Sequence, residues 1–400
     1  MIELHPHAIA HGGEAVARRD GKAHFVAGAM PGEVVTATIE EDRGSWARVA
    51  LVDIIEPAAG RREPPCPHAT TCGGCQWQFA TEQLQREWKR DTVISQLEHL
   101  GRIQDPVVHD VIAPGPEFGY RNRMDFQVIG GKPGLMRSRS NDIVPLDVCL
   151  ILHDMLRPLF QNLGDLSGLT HATLRVGTRT GDVVAIVEGD PPPHLEEWNV
   201  PIALRSDGGL HDLIGEPSLS EIVDDTLFSI PLDGFFQNNT LGADALVTVV
   251  RGAAEIEDTD TILDGYCGVG LFGATVGKDA ERVLAIEASP AAVNHARRNL
   301  TEAGIDHNVI GGSFTRDIEL FEEYWNVAIV DPPRKGLSRK GVDAVTSAGP
   351  RRIVYVSCDP ASLARDAHSF AEYGYSFVEA TPIDLFPQTY HIETVATFVR

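Results

Sequence analysis

The 400-residue sequence contains neither a long hydrophobic run nor an excess of positive charge. No apolar stretch approaches the roughly 18 residues that a membrane-spanning helix needs, so a transmembrane protein is not expected. The first residues include Glu3 and contain no apolar core segment, which predicts no signal peptide and a cytoplasmic location. Hydrophobic residues make up 43% and charged residues 23% of the chain, which excludes disorder over most of it.

Basic residues are scarce. Lys and Arg total 34 against 57 Asp and Glu, and the net charge of −23 argues against a simple nucleic-acid binder, because phosphate neutralisation requires cations. The segment 118–140 departs from this average, with one acid and five basic residues: Arg121, Arg123, Lys132, Arg137 and Arg139. This segment is either a solvated loop or a phosphate-binding patch, and the sequence leaves both readings open.

Cysteine is also rare, with six in the chain. Three of them, Cys66, Cys72 and Cys75, lie within ten residues, and Cys149 is the remaining unassigned cysteine nearest to them in sequence. In a reducing cytoplasm, clustered cysteines are expected to be metal ligands rather than disulfides. Four thiolates fit a structural zinc ion or an iron–sulfur cluster, and their spacing does not decide between the two.

The chain divides into three predicted parts. Residues 1–58 alternate short apolar stretches with glycines, which predicts four or five strands closing into a small β-barrel. Residues 59–225 predict a mixed α+β domain that contains the cysteines and a helix with Thr81 as N-cap and Gly101 as stop. Residues 226–400 alternate strands with helices, which predicts a Rossmann-like α/β domain with a parallel sheet. Its last two strands have no helix between them, so an antiparallel pair is expected at the end of the sheet.

A glycine-rich turn follows the first strand of the third part, in TILDGYCGVGLFG. Its glycines fit the spacing G-x-G-x-x-G, and Glu287 lies 19 residues after the first of them: Gly268, Gly270, Gly273. This pattern predicts a nucleoside, with the acid accepting hydrogen bonds from ribose hydroxyls. S-adenosylmethionine is favoured over a dinucleotide, because the domain has no second mononucleotide-binding half and because Asp264 suits a cationic ligand.

The strand NVAIVD ends in Asp331, followed by two prolines and Arg334. The carboxyl end of a parallel strand faces the ligand crevice. Enzymes that methylate base amino groups usually carry an aromatic residue where Arg334 stands, and cytosine-C5 enzymes often carry a cysteine in this loop. The sequence therefore disfavours both chemistries.

Two further residues are candidates for covalent chemistry. Cys358 follows the apolar strand RIVYVS, so it is either a nucleophile in the crevice or an inert buried thiol. Glu393 stands in an apolar β-run, so it is either a buried base with a raised pKa or an exposed carboxylate on an edge strand.

Together these motifs resemble the RNA uracil-C5-methyltransferase family, class I S-adenosylmethionine-dependent enzymes that form 5-methyluridine. The resemblance covers nearly the whole chain and is carried by CGGC, FFQ at 235–237, YCGVG, DPPR, SCDP and FPQTYHIE. One departure is Leu271, where many members have asparagine, which puts one side-chain contact to the cofactor in doubt.

The resemblance implies a role for each candidate. The N-terminal barrel would be a TRAM domain that binds RNA. A [4Fe-4S] cluster would be held by four cysteines: Cys66, Cys72, Cys75 and Cys149. S-adenosylmethionine would be contacted by four side chains: Gln237, Tyr266, Glu287 and Asp331. Cys358 would be the nucleophile and Glu393 the base.

The chemistry of uracil agrees with these assignments. Thiolate addition at C6 makes C5 nucleophilic, and a base must then remove the C5 proton so that the thiolate can leave. The target uridine must be flipped out of its stack. Structured RNA is the expected substrate, with 23S ribosomal RNA favoured over transfer RNA, and a monomer is expected.

Two other classes of function stay open. A non-catalytic RNA-binding or assembly factor would keep the barrel and the metal module, but it would not need both Cys358 and Glu393. A methyltransferase acting on a cytosine or a small molecule would not need the barrel and the basic segment.

Overall fold

The computed structural model describes residues 1–400 and contains four β-sheets. The first sheet has six strands: β1 (Ile2–Leu4), β2 (Ala8–Ile9), β3 (Ala15–Arg19), β4 (Lys22–Val26), β5 (Val34–Asp42) and β6 (Trp46–Glu56). Their order is β1-β5-β6-β4-β3-β2, and β1 contacts β3 near the other end, so the sheet curls as expected for a small barrel. Alternate side chains of the strands fill its core, including Leu4, Ala17 and Val35.

The segment after β6 is irregular, as the Pro- and Ala-rich sequence predicts, but it is tied to its surroundings. Arg61 pairs with the buried Glu33 of the first sheet, and Arg62 pairs with Glu117 at 2.6 Å. Helix α1 (Glu82–His99) follows, with Thr81 at the N-cap position. The Thr81 side chain makes no capping hydrogen bond, so this threonine marks the start of the helix through its backbone alone.

The second sheet has seven strands in the order β13-β12-β11-β10-β7-β8-β9. Its elements are β7 (Arg123–Ile129), β8 (Lys132–Met136), β9 (Ile143–Pro145), α2 (Arg157–Gln161), β10 (Leu169–Val176), β11 (Val183–Gly189), a 3₁₀ helix (Pro193–Trp198), β12 (Ile202–Ser206) and β13 (Gly209–Ile214). All pairs are antiparallel except β11 with β12. A two-stranded hairpin follows: β14 (Ser220–Val223) and β15 (Thr226–Ser229).

The last sheet is the Rossmann-like part, with the strand order β18-β17-β16-β19-β20-β22-β21. Its elements are α3 (Thr240–Ala254), β16 (Thr261–Gly265), α4 (Leu271–Thr275), β17 (Arg282–Glu287), α5 (Pro290–Glu302), β18 (His307–Gly311), α6 (Phe314–Asp317), β19 (Val327–Val330), α7 (Ser338–Thr346), β20 (Arg352–Ser357), α8 (Pro360–Glu372), β21 (Ser376–Ile383) and β22 (Glu393–Val399). Two short 3₁₀ helices complete it: Val276–Asp279 and Ile318–Leu320. The central strands are parallel and buried on both faces, which explains their continuous apolar sequences.

The final two strands are antiparallel, as predicted. The later of the two, β22, inserts between β20 and β21. It is hydrogen-bonded to both strands, so β21 is the edge strand. This insertion places the start of β22 beside the end of β20, because Thr394 is the register partner of Ser357.

Helix α1 packs away from the part of the chain to which its sequence assigned it. Val93 and Leu97 lie in the core formed by the Rossmann-like sheet, and α1 contacts α8. The hairpin of β14 and β15 likewise spans residue 225. The division at residues 58 and 225 therefore stays a prediction. No helix combines the length and the apolar character that a membrane crossing requires.

Candidate active site

A cavity of about 370 Å³ opens at the carboxyl ends of β16 and β19. It is lined by the glycine-rich turn and by the FFQ segment, and it includes three of the four side chains predicted to contact a nucleoside: Gln237, Tyr266 and Asp331. Glu287, the fourth, lies at its margin, where its carboxylate accepts hydrogen bonds from Gly268 N–H (3.1 Å) and Ser289 N–H (2.7 Å). The structure thus gathers all four at one edge of the sheet.

The turn that carries Tyr266 has an unusual backbone. Tyr266 has a φ of 62°, a left-handed conformation that a bulky residue rarely adopts, and its ring stacks on Phe314 with centroids 4.6 Å apart. Gly273 is closely packed, since a Cβ there would lie 3.1 Å from Asp264 Oδ2 and its neighbours would have to shift. The Gly273 N–H donates to that oxygen at 2.8 Å. Strained or close-packed backbone at a cavity is typical of a ligand-binding turn.

Asp331 lines this cavity, and Asp264 is buried next to the glycine-rich turn that forms part of its wall. Removal from bulk water raises the pKa of Asp264 to about 7, and the charge of Glu287 adds to the shift. The pKa of Asp331 also rises to about 7, from loss of water contact and from the charge of Asp264. Asp264 Oδ1 is buried without a hydrogen-bond partner. Unpaired buried acids stabilise a cationic ligand, so the residues present fit the sulfonium and ammonium groups of S-adenosylmethionine.

Cys358 and Glu393 lie together beside this cavity. Cys358 follows β20 and is partly exposed, while Glu393 begins β22 and is only 6% exposed. Burial raises the pKa of Cys358 to about 11, with the charges of Glu393 and Asp331 as further causes. Burial and the charge of Asp331 raise the pKa of Glu393 well above its ordinary value. Because β22 is an internal strand, the reading of Glu393 as an exposed carboxylate on an edge strand is wrong.

Arg334 is the cation of this group, and sequence reasoning gave it no role of its own. Its charge lowers the pKa of Cys358 and of Glu393, partly opposing burial. Arg334 Nη2 donates to His391 Nδ1 at 3.2 Å, and burial lowers the pKa of His391 to about 4, so the imidazole is neutral and can accept this bond. The DPPR motif is the sequence signal that predicts a cation at this site, since it puts Arg334 at the same sheet edge as Cys358.

Helix α1 positions the segment that leads into β22. Lys89 is fully buried, and its Nζ lies 2.6 Å from Asp384 Oδ1. The Gln388 N–H donates to Gln85 Oε1 at 2.9 Å, and Gln388 Nε2 donates to Glu117 Oε2 at 2.8 Å. The three contacts join residues 271 to 303 positions apart, and they fix the loop from which Glu393 emerges.

A second cavity, of about 360 Å³, lies in the central part of the chain. Its lining includes all four cysteines predicted as metal ligands: Cys66, Cys72, Cys75 and Cys149. Burial, together with the charges of the other cysteines, raises the pKa of Cys75 to about 12 and that of Cys149 to about 11. No group of three or more His, Cys, Asp or Glu side chains is arranged to hold a single metal ion.

The cysteine loop is attached to the basic segment. Gly73 N–H donates to Met136 O at 2.9 Å, and Cys72 forms an isolated antiparallel β-bridge with Arg137 through the backbone. The five basic residues differ in freedom: Arg121, Arg123, Lys132 and Arg139 each bond to a neighbouring carbonyl or carboxylate. Arg137 is exposed and has no side-chain partner, so it is the residue of the five most available to a phosphate.

Comparison with known proteins identifies the class of this fold and site. Residues 233–347 match the family described as "Methyltransferase small domain", and residues 312–400 match "tRNA (Uracil-5-)-methyltransferase". A solved structure, the tRNA (uracil-54, C5)-methyltransferase of Pyrococcus abyssi in complex with S-adenosyl-L-homocysteine, superposes with a TM-score of 0.79 at 24% identity, covering 100% of both chains. The fold is that of a class I S-adenosylmethionine-dependent methyltransferase.

Relatives over the whole length define the family. An uncharacterized RNA methyltransferase of Gloeobacter violaceus is 33% identical over 98% of this chain and 95% of its own. Another, from Streptomyces coelicolor, is 34% identical over 99% of this chain and 91% of its own. The chain therefore belongs to the RNA uracil-C5-methyltransferase family, which confirms the resemblance seen in its motifs, and it is an RNA (uracil-5-)-methyltransferase.

Proposed function

We propose that the protein methylates C5 of one uridine in a structured RNA through a covalent adduct between Cys358 and uracil C6. The observation that carries this proposal is the meeting of Cys358 and Glu393 where β20 ends and β22 begins, beside the cavity that contains Asp331. A thiol and a carboxyl group at one site are the two groups that this reaction needs.

The residues of the chain divide the reaction between them. The thiolate of Cys358 forms a bond to C6, and the electron pair of the C5–C6 double bond moves toward C5 and the O4 carbonyl. S-adenosylmethionine, when bound, would supply the methyl group that C5 accepts, with S-adenosylhomocysteine as the leaving group. Glu393 then takes the C5 proton, the double bond re-forms, and the Cys358 sulfur leaves as thiolate.

Burial raises the pKa values of both reacting groups, and a further cause is a charge that a bound ligand would meet. Asp331 contributes to the raised pKa of both Cys358 and Glu393. Neutralisation of Asp331 by a cationic ligand would remove that contribution, and Arg334 already acts in the same direction. Burial, the main cause of both raised pKa values, would remain, so a cationic ligand would ease the ionisation of Cys358 and Glu393 only by the share that Asp331 contributes.

The methyl donor is assigned to the cavity of about 370 Å³. We assign its contacts to the four side chains gathered there: Gln237, Tyr266, Glu287 and Asp331. The unpaired Asp264 Oδ1 supports a cationic occupant.

The four cysteines are proposed to hold a [4Fe-4S] cluster with a structural or RNA-positioning role. They line one cavity, and four half-buried thiols without a cation would be stabilised if iron bound them as thiolates. A structural zinc ion held by the same four thiolates is the alternative, and the metal content of the purified protein distinguishes the two. Because the loop is bonded to the basic segment, loss of the cluster would disturb Arg137.

The first sheet is proposed to bind RNA as a TRAM domain, with Arg137 supplying a phosphate contact. We favour 23S ribosomal RNA, because family members that have both a barrel and a cluster more often resemble enzymes that methylate ribosomal RNA. Transfer RNA is the second candidate, since both the matching family description and the superposed structure name a tRNA methyltransferase. Action as a monomer in the cytoplasm stays a prediction.

One experiment tests activity, substrate and nucleophile together. Purified protein is incubated with methyl-labelled S-adenosylmethionine and undermethylated ribosomal or transfer RNA, and labelled nucleosides are separated after digestion. We expect labelled 5-methyluridine from one RNA class, and none with Cys358→Ala. Label in cytidine or in no nucleoside, or full activity of Cys358→Ala, would contradict the proposal.

A further inference from the structure

The turn between β2 and β3 of the first sheet, residues 10–14, is partly exposed to solvent, but one side of it contacts the segment that follows Cys358. It carries His11, two glycines and Glu14, and sequence analysis gave none of them a role. His11 Nε2 lies 3.0 Å from Asp359 Oδ2. Asp359 directly follows Cys358, so a residue near the start of the chain bonds to the neighbour of the proposed nucleophile.

Asp359 has two structural tasks, one for each carboxylate oxygen. Its Oδ1 accepts from Ser362 N–H at 2.7 Å and so caps the N-terminus of α8. Its Oδ2 accepts from His11, and these two contacts lower its pKa to about 2. The carboxylate is therefore ionised, and its negative charge is among the causes that raise the pKa of the Cys358 thiol.

The turn that presents His11 is held in place from three sides. Trp77 Nε1–H donates to Gly13 O at 2.9 Å, and Arg139 Nη2 lies 2.5 Å from Glu14 Oε1. A Cβ at Gly13 would come within 2.8 Å of the Tyr390 ring, so only glycine permits this approach. Tyr390 belongs to the loop that precedes Glu393, and the turn therefore contacts both catalytic segments.

We infer that His11 is a positioning residue for the methyl-transfer reaction. By donating to Asp359 Oδ2 it fixes the carboxylate that caps α8 and reduces the effect of that charge on the Cys358 thiol. Ser357 Oγ supports the same arrangement, since it donates to Asp359 O at 3.0 Å. The N-terminal sheet would then complete the active site in addition to binding RNA. This inference rests on the proposed function, because it takes Cys358 as the nucleophile.

The contact between His11 and Asp359 can either hold the N-terminal sheet in place or position the Cys358 thiol. The two roles predict changes in different measured quantities. Fastening predicts a loss of thermal stability or of RNA affinity. Positioning predicts slower addition by Cys358 at unchanged affinity for RNA and for S-adenosylmethionine. The two are separated by a split between kcat and KM and by direct measurement of thiol reactivity.

The test compares His11→Ala, His11→Gln and His7→Ala in the full-length protein. Glutamine keeps an N–H donor for Asp359, and His7 is an exposed histidine just before β2 whose side chain makes no hydrogen bond or ion pair. Measured quantities are kcat, KM for RNA, Tm, the rate of covalent capture by RNA containing 5-fluorouridine, and iodoacetamide alkylation of Cys358 located by mass spectrometry.

We expect His11→Ala to lower kcat, capture and alkylation by about three- to tenfold, as expected when a nearby charge is less well compensated. KM and Tm should stay near those of the unmodified protein, His11→Gln should restore much of the rate, and His7→Ala should have no effect. Unchanged capture and alkylation in His11→Ala, or a loss confined to KM and Tm, would overturn the inference. If Cys358→Ala retained activity, the proposed function itself would fail, which is a separate result.

Discussion

The two cavities of this protein both contain buried ionisable groups, but they differ in what those groups lack. At the edge of the Rossmann-like sheet the groups are mainly carboxyls, and Asp264 retains a buried oxygen with no partner. In the central part they are thiols, whose pKa values are raised first by burial and further by the charges of the neighbouring cysteines. The first arrangement suits an exchangeable cationic ligand, whereas the second suits a group that stays bound.

This difference separates a cavity where a reaction can take place from a cavity that stabilises the structure. The carboxyl-lined cavity adjoins Cys358, Glu393 and Arg334, so whatever binds there can react. The cysteine cavity is bonded through Gly73 to β8 and to the basic segment, so whatever binds there fixes the shape of that segment. The following experiments perturb one of these two regions at a time and measure which property changes.

The largest effect is expected at the cysteines. Cys75→Ser should abolish the binding of iron and sulfide, and with it the brown colour and the absorbance expected at about 400 nm. It should also destabilise the central part first, because cluster binding there is coupled to folding. Calorimetric titration with S-adenosylmethionine should still give nearly normal affinity, because the methyl donor is assigned to the other cavity. Protein prepared without oxygen that is colourless and contains one zinc ion would contradict the cluster.

An intermediate effect is expected from pH at the carboxyl-lined cavity. Asp264 and Asp331 have pKa values of about 7, raised from an ordinary 3.8, so both become charged as pH rises through neutrality. S-adenosylhomocysteine lacks the sulfonium charge, and its affinity serves as the control. The ratio of the two affinities should shift about tenfold in favour of S-adenosylmethionine between pH 5.5 and 7.5. A ratio independent of pH would show that neither acid faces the sulfonium.

The same shift has a consequence for stability. A carboxyl whose pKa is raised in the folded state binds its proton more tightly there than in the unfolded chain. The free energy of unfolding of the ligand-free protein should therefore receive a contribution that is lost as pH rises from about 4 to about 7. Chemical denaturation of Asp264→Asn across this range should show a smaller loss than the unmodified protein, and an equal loss would assign the effect to other groups.

The smallest effect is expected from the basic segment. Arg137→Ala should weaken RNA binding and reduce the slope of log affinity against log salt by about one, and Arg121→Ala should do the same if its guanidinium turns outward. Arg298→Ala, an exposed arginine on α5, is the matched control. A slope unchanged in Arg137→Ala would return this residue to the solvated-loop reading.

The fold was largely predictable because its strongest signals are local. Apolar runs gave the parallel strands, and Ser289 and Asp359 cap α5 and α8 close to where the sequence expected helices. The insertion of β22 between β20 and β21 was not predictable, since two adjacent strands in sequence give no sign that the later one sits inside. That insertion decided the environment of Glu393, which the sequence left undecided.

The site was predictable where one motif carries one function and unpredictable where distant segments meet. Motif spacing named Cys358, Glu393 and the four cysteines. By contrast, His11 and Asp359 are separated by almost the whole chain, and the buried Lys89 reads in sequence as a surface residue of a polar helix. Such pairs depend on tertiary packing, which a single sequence does not report.

The order of action of Cys358 and Glu393 is the central claim, and one gel measures it most directly. Glu393→Gln is nearly isosteric but cannot accept the C5 proton, so in the presence of RNA and S-adenosylmethionine it should stall after methylation as a covalent protein–RNA complex. On a denaturing gel the account predicts a slow-migrating band for Glu393→Gln, containing a methylated uridine linked to Cys358, and no such band for the double substitution with Cys358→Ala. Normal turnover by Glu393→Gln, or a band that persists without Cys358, would contradict it.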